Sequence, residues 1–118
     1  MSDQNPLNIV AEHVVNTNFD DLPFTVIEKV KTFLLDTIGV GIAGTSGAKV
    51  ADLIVLAKLW GDTPEATVWL TGERMSAQSA AVVNAYQIHC LEFDCVHEGA
   101  VLHPMATIVS SVFAWAER

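Results

Sequence analysis

Apolar residues recur at helical spacing along most of this 118-residue chain, and this periodicity restricts the possible fold more than any other feature. It predicts five helices, at about residues 6–16, 23–43, 48–60, 77–93 and 105–118. Residues 66–71 have the β-branched and aromatic content of one short strand, which would need a partner from elsewhere. We therefore expect a mainly α fold, a bundle-like domain of about five helices with one short extended strand.

The apolar content is high for so short a chain. Hydrophobic residues make up 51% of it before its 7 glycines are counted. The average for soluble domains is about 45–50% with glycine included. Some apolar surface should therefore face a partner, either a second subunit of a homo-oligomer or the remainder of a longer chain. The unpaired strand and a last helix without a glycine stop point the same way, so we expect residues 1–118 to be an incomplete domain.

Several classes of protein are disfavoured by charge and segment length. The most apolar run, residues 33–44, is shorter than the ~20 residues of a membrane span and contains Asp36. The N-terminus lacks the basic and apolar regions of a secretory signal. A net charge of −8 argues against a nucleic-acid partner. The two cysteines do not form a disulfide framework, so we expect a cytoplasmic protein.

Three glycines lie in the second predicted helix, where each weakens the helix by about 1 kcal/mol relative to alanine. They are Gly39, Gly41 and Gly44. Such residues are best explained by another helix that packs closely against them, and the alternative is a frayed helix end.

The titratable residues concentrate in one segment. Five of the six histidines and cysteines fall within His89–His103, together with Glu92, Asp94 and Glu98. Three interpretations are open: general acid–base catalysis, a metal site, or a solvated acidic loop with incidental histidines. The metal interpretation is weakened by the absence of a CxxC pair and of histidines at i, i+4 spacing.

His103 stands just before a predicted helix that starts at Pro104, where backbone N–H groups and the helix dipole favour an anionic substrate. His89 is interpreted as a surface or boundary residue, and Cys90 and Leu91 as packing residues. Two further residues are expected to have no catalytic role, His13 because no partner stands near it in sequence and Cys95 because no cation does.

Three segments resemble the N-terminal part of the MmgE/PrpD family, which includes 2-methylcitrate dehydratases, cis-aconitate decarboxylases and iminodisuccinate epimerase. Residues 33–44 are similar to the family's early helix with its Leu-Asp-Thr-Ile/Leu-Gly signature, and residues 80–85 to its Ala-rich helix with an asparagine. The specific segment is Glu92-Phe-Asp94, His97 and His103-Pro104, which matches the pattern Asp-x-Asp-Asp-Thr-His…His-Pro.

The resemblance implies an enzyme of the lyase or isomerase type that needs no cofactor or metal. Its expected substrate is a small di- or tricarboxylic acid, from which a proton alpha to a carboxylate is removed or shifted. The same resemblance implies catalytic roles for Glu92, Asp94 and His103, and substrate-binding roles for His97 and Pro104. Family members are homodimers, several times longer than this chain, and their sites include later histidines and lysines. We therefore expect the chain alone to be inactive.

Departures from the family pattern at three positions bear on the substrate. Glu92 replaces an aspartate, and Cys95 and Val96 occupy positions that are often Asp and Thr. Dehydration, decarboxylation and epimerisation all stay open. The alternative function is a non-catalytic, truncated helical module that oligomerises through its apolar helix faces.

Overall fold

The computed structural model of the chain describes residues 5–61 and 63–118. Its internal contacts divide the chain into two compact units, the first ending at Lys31 and the second comprising Thr32–Arg118. Each unit is described separately.

The first unit contains helix α1 (Pro6–Asn16), a 3₁₀ turn at Phe19–Asp21 and the first residues of helix α2 (Phe24–Gly44). The break between the helices agrees with the gap predicted between residues 16 and 23. Asp21 accepts hydrogen bonds from the backbone N–H and the side-chain amide of Asn18, at 2.9 and 3.1 Å. These bonds favour the carboxylate and lower the pKa of Asp21.

The second unit contains the rest of α2, α3 (Val50–Lys58), strands β1 (Ala66–Thr67) and β2 (Arg74–Met75), α4 (Ala77–His89) and α5 (Pro104–Glu117). The predicted mainly α fold with five helices is confirmed. Ser76 caps α4, because its side chain accepts the backbone N–H of Ser79.

The strand prediction was wrong in two respects. Strand β1 ends at Thr67 rather than at residue 71. The partner of β1 is not distant but comes directly after it in the chain, since β1 and β2 form an antiparallel pair with Ala66 opposite Met75. The connecting residues turn back at Leu70 and Gly72, which both adopt positive φ. Asn84 of α4 holds this hairpin by accepting the N–H of Trp69 and donating to the carbonyl of Thr67.

The core of the second unit lies where α4 packs against α5, with α3 and the hairpin beside them. Its members are mostly small, which lets the backbones approach closely: Ala57, Ala66, Val68, Met75, Ala77, Ala80, Val83 and Ala114.

Two of the three helix glycines have the role predicted for them. A β-carbon on Gly44 would overlap the main-chain carbonyl of Gln87 in α4. One on Gly41 would lie 3.2 Å from Ile88 of α4 and would also press on the Trp69 ring. These glycines are therefore required by close packing. For Gly39 the prediction was wrong, because no described atom outside its chain neighbours and the nearby backbone of α2 lies within 4 Å of its β-carbon position.

Helices α3 and α4 are shorter than their apolar periodicity predicted. Lys49 adopts φ 68°, so α3 begins only at Val50. Helix α4 ends at His89 rather than near residue 93, because Glu92 adopts φ 54° and its N–H bonds back to the His89 carbonyl at 2.8 Å. Left-handed backbone of this kind ends a helix.

Many large apolar side chains of the described residues are exposed. Helix α1 buries none of its residues within this structure, and in the second unit Leu35, Leu59, Phe93 and Trp115 are exposed as well. Leu91, expected to be a packing residue, is also exposed. Among the described residues, no helix combines the length and apolarity that crossing a membrane requires.

Candidate active site

Three titratable side chains from the predicted segment meet in the second unit. His89 is the last residue of α4, Asp94 lies in the following loop, and His103 is the N-cap residue of α5. Two helix ends and one loop therefore position the cluster, which we call the His–Asp–His cluster.

The Asp94 carboxylate lies between the two imidazoles. Its Oδ1 is 3.0 Å from His89 Nδ1, and its Oδ2 is 3.3 Å from His103 Nδ1. The two rings contact each other edge to face, with centroids 4.8 Å apart at 61°. One carboxylate thus serves both histidines, one oxygen to each.

Burial differs sharply within the cluster. The Asp94 side chain is 1% exposed, whereas those of His89 and His103 are 45% and 33% exposed. A buried carboxylate without polar partners is strongly unfavourable. His89 hydrogen-bonds Oδ1, whereas Oδ2 has the His103 ring beside it without a well-aligned hydrogen bond. The histidines form the accessible face of the cluster and the aspartate its buried base.

The connecting loop is folded by backbone features that place Asp94 and His103. After the turn at Glu92, the N–H of His97 donates to the Leu102 carbonyl at 2.9 Å, closing a small loop. Val101 within it adopts φ 51°, which is rare for a β-branched residue. Pro104 then starts α5 with the fixed φ that the first helical position favours.

His89 and His103 line an open cleft of about 530 Å³. This volume is in the range of small-molecule sites, about 300–1,000 Å³. The rest of its lining is mostly apolar: Leu53, Val82, Ala85, Tyr86, Ala106 and Thr107. No lysine or arginine of the described residues lines the cleft. Arg74 is engaged elsewhere, because its guanidinium donates hydrogen bonds to the carbonyls of Pro64 and Glu65.

The other predicted site residues lie around this cluster. Glu92 is 79% exposed, and its Oε1 is 3.6 Å from His89 Nε2. His97 is exposed, and its Nδ1 accepts the Ala100 N–H at 3.1 Å. Pro104 is partly buried at the start of α5.

His89 was missed by the sequence interpretation, which placed it at a surface or boundary. The signal that would have found it is the end of α4: once the helix stops at His89, the following turn brings residue 94 back toward it. Nothing in the sequence reveals the positive φ of Glu92. Without it α4 would continue past His89, and residue 94 would lie on a different face of the helix from His89.

The same three residues offer a set of donor atoms that lie within 4.8 Å of one another. Two imidazoles and a carboxylate are a ligand set that zinc accepts. In this arrangement both Nδ1 atoms face the same carboxylate, at 3.0 and 3.3 Å. The His89 contact is a hydrogen bond, whereas the His103 contact does not meet hydrogen-bond geometry.

Cys90 has the packing role that the sequence predicted. Its Sγ contacts the carbonyl of Gly44 at 3.4 Å, and burial raises the pKa of the thiol. A raised pKa disfavours the reactive thiolate at neutral pH.

The MmgE/PrpD N-terminal domain family model matches residues 8–118. The human cis-aconitate decarboxylase is 31% identical over 93 residues, which cover 78% of this chain and 19% of that protein. The Aspergillus terreus cis-aconitate decarboxylase is 32% identical over 105 residues, covering 86% and 21%. The cis-aconitate decarboxylase-like protein oryM of Aspergillus oryzae is 32% identical over 121 aligned positions, covering 93% and 23%.

No solved structure shows significant similarity to the chain. One classification follows from the helical fold, the close approach of Asp94 to His103, and the match over residues 8–118. The chain belongs to the MmgE/PrpD family and corresponds to its N-terminal domain. It spans about a fifth of the length of the relatives it matches.

Proposed function

We propose that this chain supplies one wall of an acid–base site that acts on a small di- or tricarboxylic acid, as a lyase of the decarboxylase type. The observation that carries the proposal is the His–Asp–His cluster, whose two imidazoles line a cleft of small-molecule size while its carboxylate is buried. The named relatives, which are cis-aconitate decarboxylases, favour decarboxylation over dehydration or epimerisation.

The proposed chemistry requires a proton donor and acceptor near neutral pH. In a decarboxylation the bond between a carboxylate carbon and its neighbour breaks, CO2 leaves, and the remaining electron pair ends on a carbon that takes up a proton. An imidazole is suited to transfer that proton. We assign this role to His103, since it lines the cleft and its Nδ1 faces Asp94.

Asp94 and Glu92 have different proposed roles. Asp94, with its buried side chain, orients the His103 ring. It also stabilises the charged form of His103, in which the ring carries the proton to be transferred. Glu92 is also a proposed catalytic residue, and it lies exposed near His89 at the edge of the site. His97 and Pro104 are proposed substrate-binding residues, His97 through its exposed ring and Pro104 through its position at the start of α5.

The substrate's carboxylates need cationic contacts, and no lysine or arginine of the described residues lines the cleft. We propose that these contacts come from outside the 118 residues, from further chain or from the second subunit of a homodimer. The exposed apolar side chains of α1, among them Leu7 and Val15, are consistent with such a partner. They also favour the competing candidate, a non-catalytic module that associates through these faces.

The decisive experiment measures CO2 release and product formation from cis-aconitate by the intact protein. We expect Asp94→Ala and His103→Ala to lower kcat by about 10²- to 10⁴-fold, the usual contribution of general acid–base catalysis. His13→Ala is the matched control, because this histidine lies on exposed α1, with Thr17 as its polar neighbour. Full activity in the Asp94→Ala/His103→Ala double variant would refute the assignment, and no turnover of any polycarboxylate by the wild type would favour the module.

A further inference from the structure

His89 has no role in the proposed reaction, yet it is bonded more closely to Asp94 than His103 is. Its Nδ1 lies 3.0 Å from Asp94 Oδ1, and its Nε2 lies 3.6 Å from Glu92 Oε1. Both ring nitrogens therefore face carboxylates. His103 differs, since only its Nδ1 faces a carboxylate among the described residues.

The position of the protons on both rings follows from the chemistry of Asp94. An ionised carboxylate accepts hydrogen bonds and cannot donate them. A nitrogen that faces it closely must therefore carry a proton, because otherwise two lone pairs would oppose each other. His103 Nδ1 and Asp94 Oδ2 are both shielded from solvent, and neither has a well-aligned hydrogen-bond partner among the described residues, since their own contact does not meet hydrogen-bond geometry. At 3.3 Å, each is the polar neighbour available to the other.

This arrangement determines the form of the neutral His103 ring. With its proton on Nδ1, the ring leaves Nε2 as an unprotonated nitrogen with a free lone pair. The two ring nitrogens point in widely different directions, so an Nδ1 aimed at the buried carboxylate directs Nε2 away from it. Nε2 is then the atom at which a proton can be gained and lost.

We propose that His89 is a positioning residue for His103, which it acts on through Asp94. His89 occupies Asp94 Oδ1 and so holds the carboxylate in the rotation that presents Oδ2 to His103 Nδ1. The catalytic consequence rests on the proposed function, whereas the tautomer of His103 does not.

Removal of the His89 donor should release the carboxylate. Asp94 Oδ1 would lose its 3.0 Å hydrogen bond in a buried setting, which is unfavourable enough to make the side chain rotate or admit water. Either change weakens the hold on His103 and lets its ring adopt both tautomers.

The first test uses ¹⁵N NMR of the imidazole nitrogens in the histidine-labelled chain, at a pH where the rings are neutral. We expect wild-type His103 to be protonated at Nδ1 and unprotonated at Nε2. His89→Leu should shift His103 toward a mixture of tautomers. His89→Asn should restore the wild-type pattern, because its amide keeps an N–H donor near the position of Nδ1.

Backbone amide spectra of the three proteins show whether the fold is retained, and the comparison of Leu with Asn separates loss of the donor from loss of the ring. A His103 protonated at Nε2 in the wild type would overturn the proposal. So would a tautomer that is the same in all three proteins.

The second test is kinetic and uses the intact protein. We expect His89→Leu to lower kcat by about 10- to 100-fold, because misplacement of a catalytic group has effects of this size. KM should change by less than about twofold, since the proposed role is orientation and not binding. His89→Asn should recover most of kcat. A change in KM alone, or an Asn variant as impaired as the Leu variant, would contradict a positioning role.

The two proposals fail in different ways. If the Asp94→Ala and His103→Ala variants keep full activity, the proposed function is wrong while the NMR result for His103 still stands. If those variants are inactive and His89→Leu is fully active, the function stands and the role of His89 is refuted.

Discussion

The close approach of α2 to α4 makes a sharp prediction about a single methyl group. A β-carbon at position 44 would overlap the main-chain carbonyl of Gln87 and lie 3.2 Å from Cys90 Sγ. The main-chain atom cannot rotate away, so Gly44→Ala requires one helix to move. Overpacking of this kind costs about 1–3 kcal/mol. Replacing a helical glycine by alanine returns up to about 1 kcal/mol.

We therefore expect Gly44→Ala to lower the free energy of unfolding by up to about 2 kcal/mol, the cost of overpacking less the gain in helix propensity. The control is Gly39→Ala in the same helix, where the new β-carbon meets no described atom within 4 Å outside its chain neighbours and the nearby helix backbone. That variant should gain about 0.5–1 kcal/mol. Both variants replace a glycine by alanine, but their effects on the free energy of unfolding should have opposite signs.

Urea denaturation followed by circular dichroism measures both variants against the wild type, with the slope of each transition checked for a common two-state process. In thermal melts, 1 kcal/mol corresponds to about 4–8 °C for a domain of 60–100 residues. A Gly44→Ala variant as stable as Gly39→Ala would refute the reasoning, because the contact with Gln87 would then not constrain the fold.

Two further predictions concern buried groups of α4 and its end. Asn84→Ala should destabilise the chain by about 2–4 kcal/mol, because it leaves the Trp69 N–H and the Thr67 carbonyl without partners. Urea denaturation measures this, with the exposed Gln78→Ala of the same helix as the control, and equal stability of the two variants would contradict the role of Asn84. Cys90, whose pKa is raised by burial, should react with iodoacetamide more slowly in the folded chain than in denaturant at the same pH. Its reaction should accelerate only at higher pH. Mass spectrometry of the labelled peptide follows the rates, and equal rates in both states would argue against shielding of this partly buried thiol.

The parts of the fold that could be predicted are those set by local pattern. Helix starts are marked by Pro6, Pro104 and the capping residue Ser76, and the structure begins α1, α5 and α4 at those points. These signals act within one turn of the chain, so sequence alone contains them.

The parts that could not be predicted depend on the third dimension or on unusual backbone. The same residue type has opposite roles at Gly39 and Gly44, because only one of them faces α4. The partner of β1 was missed because β2 is only two residues long, Arg74–Met75.

The candidate site divides in the same way. Asp94 and His103 could be chosen from the motif, because its spacing is recognisable in sequence. His89 could not, since its contact with Asp94 depends on a left-handed residue, Glu92, that ends α4 early. Residues other than glycine rarely adopt this backbone conformation without support from their surroundings, and composition does not reveal where they do so.

The His–Asp–His cluster also has a consequence for folding order. Its three members lie within residues 89–103, and fourteen residues separate the end of α4 from the start of α5. Loop-closure entropy rises slowly, by about 0.6 kcal/mol for each doubling of length, and short loops close early in folding. The cluster should therefore form in the step in which α4 and α5 associate. A chain in which only this helical hairpin has folded would already hold the two imidazoles on one carboxylate, before any more distant part of the protein docks against them.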